Sequence, residues 1–127
     1  MDELNYFESK ELACESLKDY INDEGFNDEQ ALAATLEDSV LMMKKNKVVY
    51  IAVIQSLAIH ALNKKIIPDY ILENIKEISS LDNDFLRGDD KKEFIKDNDE
   101  IKLKLEQHDF CILEDEAYKM RINMLLN

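Results

Sequence analysis

The sequence KVVYIAVIQSLAIHALN, residues 47–63, decides the fold because it is the most apolar part of the chain. Its β-branched opening is compatible with a buried strand, but the apolar character continues for longer than an ordinary strand does. We therefore predict a helix over 47–63. A helix that is apolar on nearly every side is surrounded by other elements, so this segment is expected to lie at the centre of the domain.

The composition favours a mainly α fold around this central helix. The 127 residues include only two Gly and one Pro, too few for the many tight turns of a β-sandwich. The length suits a single acidic helical domain over residues 1–127, and the 46% hydrophobic content supplies a core despite the net charge of −12. We predict a compact helical bundle of about five to six helices.

Two amphipathic helices are predicted upstream of the central helix. The first covers residues 3–23, where apolar side chains recur at helical spacing: Leu4, Phe7, Cys14, Leu17 and Ile21. The second begins at Asn27, which is followed by Gln30 in the spacing of a capping box. Its last turn contains Lys44 and Lys45, which suit the negative end of a helix dipole.

The chain downstream of the central helix contains one ambiguous segment. Pro68 suits the first turn of a fourth helix, residues 79–90 read as a loop, and a short helix that includes Phe94 and Ile95 is expected after Asp89. The alternation in IKLKLE favours a small β-hairpin at 100–113. A competing helical register, leading into a last helix at about 114–126, aligns another set of apolar residues: Phe110, Leu113, Ala117, Met120 and Met124. The methionines are interpreted as core residues.

Acidic residues are concentrated at the two ends of the chain. Residues 1–45 carry twelve acidic and four basic residues, and residues 82–127 carry thirteen and eight. Eight carboxylates at the N-terminal end are predicted to form a partner-binding surface: Glu8, Glu11, Glu15, Asp19, Asp23, Glu24, Asp28 and Glu29. Such a surface would attract a basic protein, with an association rate that falls as salt rises. The alternatives are a solvated face that maintains solubility and an interface in the acidic C-terminal third.

Direct nucleic-acid binding and metal binding are not expected. Phosphate binding needs clustered basic residues, whereas only two arginines occur and the lysines are interleaved with acids. Residues 82–93 partly match a calcium loop, but Leu86 and Arg87 occupy positions that need a ligand and a glycine. His108 and Cys111 supply two ligands where zinc usually needs four. We predict no cofactor and no metal.

No catalytic motif is recognisable, and we predict that the protein is not an enzyme. Phosphate-binding glycine motifs and HExxH are absent, and His60 is more simply a core or boundary histidine. Cys14 and Cys111 match no CxxC pattern and are interpreted as small hydrophobic residues. The N-terminus lacks the features of a signal peptide, and the apolar run at residues 48–54 is too short for a membrane span. These features predict a cytoplasmic protein that does not bind membranes.

In size, acidity and low Gly and Pro content, the chain resembles the small helical immunity proteins of bacterial contact-dependent inhibition and related toxin systems. The resemblance concerns the whole chain and carries no motif, so it assigns no role to any residue. It implies an antitoxin-like inhibitor that covers the active site of a basic toxin, such as a nuclease, with carboxylates. Two alternatives stay open: a nucleic-acid mimic that inhibits a DNA-handling enzyme, and a small ligand-binding or enzymatic domain.

Overall fold

A computed structural model describes residues 5–127 and shows a mainly α fold with one very small sheet. The elements follow one another in this order: α1 (Tyr6–Asn22), α2 (Asp28–Lys45), α3 (Lys47–Asn63), β1 (Ile66–Pro68), α4 (Asp69–Ser79), α5 (Gly88–Gln107), β2 (Cys111–Leu113) and α6 (Glu116–Leu126). The predicted mainly α fold of five to six helices is confirmed. Leu4, which the sequence placed on the first apolar stripe, lies outside the described residues.

Helix α3 has the predicted bounds and lies at the centre of the fold. Eleven of its seventeen residues are buried, and it packs against α1, α2, α4 and α5. Asn46 caps its first turn by accepting hydrogen bonds from the backbone N–H groups of Val48 and Val49 at 2.9 and 3.4 Å. Neighbouring elements therefore cover this helix, as expected for a helix that is apolar on nearly every side.

The buried face of α1 agrees with the predicted stripe at Leu17 and Ile21 but differs from it in the first turn. Its buried residues are Tyr6, Ser9, Ala13 and Leu17, whereas Phe7 is 42% exposed. The prediction followed side-chain apolarity, but the buried face begins with a tyrosine and a serine, whose polar atoms the pattern excluded. The helix begins at a capping box in which Asn5 accepts from the N–H of Glu8 and the Glu8 carboxylate accepts from the N–H of Asn5.

Helix α2 begins as the sequence predicted. Asn27 and Gln30 form a capping box, Asp28 and Glu29 lie in the first turn, and the last turn contains Lys44 and Lys45. One difference is Met42, which is 44% exposed, although its neighbour Met43 is buried as expected.

The hairpin alternative for residues 100–113 is wrong. Most of this segment belongs to α5, a helix of 20 residues that begins at Gly88, near the predicted start, and is much longer than the short helix expected there. Ile101 and Leu105 are one helical turn apart and pack on the core, whereas Leu103 between them is 57% exposed. The first and third apolar residues of an alternating pattern are four positions apart, which is also one turn of a helix. The IKLKLE sequence therefore fits a helix in which Leu103 is exposed to solvent.

The two short strands pair in parallel, which brings residues 66–68 and 111–113 together. Ile66 pairs with Cys111 and Ile67 with Ile112, and Cys111 donates its N–H to the carbonyl of Lys65 at 2.8 Å. Because neighbouring residues of a strand point to opposite faces, Ile66 and Ile112 lie on opposite faces of this sheet. The inner face buries Ile67 against the core.

Helix α6 lies across α2 and α4, with a register that differs from the predicted one. Ile122 is its buried residue, whereas Met120 and Met124 are 61% and 77% exposed. The helix is held by polar contacts at its two sides: Tyr118 Oη donates to the Ala33 carbonyl at 3.2 Å, Lys119 Nζ pairs with Glu73 at 2.7 Å, and Arg121 pairs with Glu37 at 3.0 Å. These contacts orient α6 so that its methionines face outward. No helix within residues 5–127 has both the length and the apolar character that a bilayer-crossing helix needs.

Candidate protein-binding surface

A groove of about 420 Å³ lies between α1 and α2, and we call it the acidic groove. Its lining contains five carboxylates: Glu15, Asp19, Asp23, Glu24 and Asp38. The remaining lining residues are Leu12, Ser16 and Tyr20, so no basic side chain lines the groove. The two helices are joined through a 2.9 Å hydrogen bond between the hydroxyls of Ser16 and Thr35, which fixes the distance between the two walls.

Leu12 gives the acidic groove an apolar contact point. Its side chain is 51% exposed, although it lies on a helix whose other face packs on the core. Glu15 and Asp19 follow it at three and seven positions, spacings that place all three residues on one side of α1. The groove therefore presents an exposed leucine next to carboxylates, an arrangement that suits the apolar and basic side chains of a protein.

Tyr20 connects the two walls of the acidic groove. Its hydroxyl donates to Asp38 of α2, and this hydrogen bond raises the pKa of Tyr20 above its usual value. Its ring stacks on Phe26, with centroids 5.2 Å apart and an angle of 11° between the planes. Gly25, at φ 71°, allows the turn that brings Phe26 back, and the Phe26 N–H donates to the Tyr20 carbonyl at 2.9 Å.

The five carboxylates of the acidic groove form no ion pair with any residue in the described part of the chain. Asp19 and Asp23 also lie at the C-terminal end of α1, and the last turn of that helix contains no basic residue. The C-terminal end of a helix is negative, so carboxylates there are unfavourable. The free protein therefore carries like-charge repulsion at this site, and no cation in the described structure pairs with these carboxylates.

The structure divides the eight predicted partner-binding residues among several places. Four of them meet in the acidic groove: Glu15, Asp19, Asp23 and Glu24. Glu8 serves the capping box of α1, and Glu11 is exposed but does not line the groove. Asp28 and Glu29 lie at the start of α2 beside a different groove. Asp38 was not predicted as a partner-binding residue, because its position opposite α1 depends on how the two helices pack.

The other side of α1 carries a buried polar network with α3 and α5. The Tyr6 hydroxyl donates to Asp97 Oδ2 at 2.8 Å and also contacts the amide of Gln55. A hydroxyl has one proton and an ionised carboxylate only accepts, so we assign the Gln55 NH₂ group as the donor to the Tyr6 oxygen. Lys10 Nζ lies 2.6 Å from Glu93 and 3.0 Å from Asp97. Burial, followed by the charge of Asp97, raises the pKa of Tyr6, which keeps its hydroxyl protonated.

Among residues 5–127, no group of three or more His, Cys, Asp or Glu side chains is placed to hold a metal ion. His60 Nε2 lies 2.9 Å from Asp28 Oδ1, and this contact links α3 to the first turn of α2. The sequence allowed His108 and Cys111 to share a helix face, but His108 ends α5 in a left-handed conformation and Cys111 belongs to β2. The calcium-like stretch is a loop followed by the start of α5, and its Asp84 pairs with Lys91 at 3.6 Å.

No protein-family model, curated protein or solved structure matches this chain.

Proposed function

We propose that this protein is an inhibitor that binds a basic protein through the acidic groove. In this proposal it acts as an antitoxin or immunity protein, and its target is a basic, nuclease-like toxin. The observation that supports this function is a group of five carboxylates that form no ion pair in the described structure and lie next to the exposed Leu12. Carboxylates on a toxin-facing surface would occupy positions that substrate phosphates take in a nuclease. The cytoplasm is the proposed site of action.

The electrostatics of the free protein support binding of a cationic partner. Asp19 and Asp23 at the C-terminal end of α1 repel both each other and the helix dipole. A lysine or arginine from a partner would relieve that repulsion, so part of the binding free energy would come from strain present in the free inhibitor. Complementary charge would also raise the association rate and make it depend steeply on salt.

Leu12 favours an inhibitor dedicated to one partner over a nucleic-acid mimic, which would bind many DNA-binding proteins. A mimic reproduces the phosphate charges that many DNA-binding proteins recognise, whereas the exposed Leu12 at one end of the row of carboxylates gains free energy only against a partner with a matching apolar patch. A dedicated inhibitor should therefore depend on Leu12 as well as on the carboxylates. Leu12→Ser is expected to weaken partner binding and to leave folding intact, because the side chain is half exposed.

The test is affinity capture from a lysate of the source cells on the tagged protein, followed by elution with rising salt. We expect one basic protein to be retained to high salt and to be lost when Leu12→Ser is used as bait. A broad set of DNA-binding proteins that elutes at modest salt from both baits would contradict the proposal and support mimicry. The retained protein is then identified and assayed for toxicity with and without the inhibitor.

A further inference from the structure

A second groove, of about 320 Å³, lies between the small sheet and the first turn of α2, and we call it the sheet groove. Its floor is formed by Ile66, Pro68 and Leu113, and its opposite wall by Leu32, Asp28 and Glu29. The parallel register accounts for this floor: Pro68 pairs with Leu113, and Ile66 lies two residues before Pro68 on the same face. The sheet groove is therefore built by the pairing of two segments far apart in sequence.

The floor of the sheet groove is apolar and partly open to solvent. Ile66 is 48% exposed and Leu113 is partly exposed, whereas Pro68 in the floor and Leu32 in the opposite wall are buried. The exposed part of the Ile66 side chain does not contribute to the stability of the fold. An apolar side chain placed over it would remove that area from water.

The charges around the sheet groove are mainly negative. Asp28 and Glu29 belong to its wall, and Asp69 and the pair Glu114–Asp115 directly follow the two strands that form its floor. Lys64 is the one basic residue of the lining.

Asp69 adds a buried polar atom without a partner at this end of the sheet groove. Its side chain is nine-tenths buried, and its Oδ2 accepts from the Asp115 N–H at 3.4 Å. Its Oδ1 has no hydrogen-bond partner in the described part of the chain. Because this oxygen is buried and Asp69 does not line the sheet groove, the carboxylates that a partner can reach in the groove are those of Asp28 and Glu29.

We propose that the sheet groove is a second binding site for the basic partner and takes one apolar side chain of that partner that is flanked by lysine or arginine. The apolar side chain contacts Ile66 and Leu113, and the flanking cations lie near Asp28 and Glu29. This inference rests on the proposed function, since it assigns a second contact to the same partner. The apolar floor selects for the central side chain, and the carboxylates select for its neighbours.

The test uses two acetylated and amidated peptides of equal charge, KRLRK and KRARK, titrated into the isotope-labelled protein at low salt. Methyl and amide NMR signals of Leu32, Ile66 and Leu113 report on the sheet groove. We expect KRLRK to shift these signals with at least about fivefold higher affinity than KRARK, because burial of a leucine side chain contributes about 1 kcal/mol more than burial of alanine.

Ile66→Ser is expected to abolish the preference for KRLRK. Its matched control is Ile112→Ser, which removes an equally exposed isoleucine from the opposite face of the same sheet and should retain the preference. Equal affinities for the two peptides, a preference that persists in Ile66→Ser, or shifts confined to the acidic groove would overturn the inference. These peptide results concern the sheet groove alone, whereas failure of the proposed function would appear as unchanged partner binding by variants of the acidic groove.

Discussion

The two sides of α1 use charge in opposite ways. Towards α5, Lys10 lies between Glu93 and Asp97, and the Tyr6 hydroxyl completes a buried network. Towards α2, the five carboxylates of the acidic groove lie together without an ion pair in the described residues. The first side explains how α1 is held in the fold. The side towards α2 contributes repulsion between carboxylates, and the charge of a cationic partner would replace that repulsion with attraction.

Lys10→Met is the substitution with the largest expected effect on stability. It leaves Asp97, whose side chain is 3% exposed, without its cation. Removal of one partner of a buried pair typically costs about 3–5 kcal/mol, and we expect the lower end because Lys10 is 26% exposed. Urea unfolding followed by circular dichroism measures the change.

Lys18→Met is the control for this loss of charge, because Lys18 is exposed on the same helix and forms no ion pair within residues 5–127. Its unfolding free energy should change by less than about 0.5 kcal/mol. Equal losses in both variants would show that the α5 side of α1 is not held by this network.

Tyr6→Phe is expected to have the next largest effect. It removes one hydroxyl and leaves Gln55 and Asp97 with unmet hydrogen bonds in the core, at a cost of roughly 1–3 kcal/mol. Tyr20→Phe is the matched change on the other side of α1, where the hydroxyl bonds a solvent-exposed Asp38. Thermal unfolding of the pair should show a clearly larger decrease for Tyr6→Phe; the reverse order would contradict the contrast between the two sides.

The double variant Glu15→Lys/Asp19→Lys should gain stability. It removes like-charge repulsion and places a cation near the C-terminal end of α1, which together contribute about 0.5–1 kcal/mol at low salt. The gain in unfolding free energy should shrink as salt is added, because exposed charges are screened. A loss of stability would mean that these carboxylates support the fold, which would weaken the case for a partner.

A smaller effect is expected for the pH dependence of stability. The hydrogen bond from Lys10 holds the pKa of Glu93 below its ordinary value of 4.5. Because the folded-state pKa is lowered, this stabilisation is complete above about pH 4.5 and is lost as the pH falls through the lowered pKa. Glu93→Gln should therefore have a flatter decline in unfolding free energy below that pH than the unsubstituted protein.

Glu106→Gln is the control for this pH experiment, since Glu106 is exposed and has no ion pair in the described structure. Its acid unfolding curve should match that of the unsubstituted protein. A decline that is as steep in Glu93→Gln as in the control would show that the Lys10–Glu93 pair does not contribute.

Local patterns in the sequence predicted the fold where burial and capping are decided within one segment. The apolar residues of 47–63 and the Asn27–Gln30 capping box are such cases, and both were confirmed. Elements whose structure depends on residues distant in sequence could not be predicted in the same way. The IKLKLE segment fits a strand or a helix by its own pattern, and packing of Ile101 and Leu105 on the core decides for the helix.

The candidate surface could be predicted only in part, for the same reason. Glu15 and Asp19 are recognisable from helical spacing alone, but Asp38 joins them through the packing of α2 on α1. The structural role of Glu8 depends on a cap at Asn5 that sequence analysis did not identify. The sheet groove depends on the pairing of residues 66–68 with 111–113, which no local pattern indicates.

The central claim is that the acidic groove binds a basic partner. The most direct test measures the dissociation constant of the captured partner for Glu15→Lys/Asp19→Lys and for the control Asp99→Lys/Glu106→Lys, which changes the net charge equally at exposed positions of α5. We expect the groove variant to bind at least about tenfold more weakly than the control, a difference of about 1.4 kcal/mol, and to show a flatter salt dependence. Equal weakening in both variants would mean that only the net charge matters and would contradict a specific acidic site.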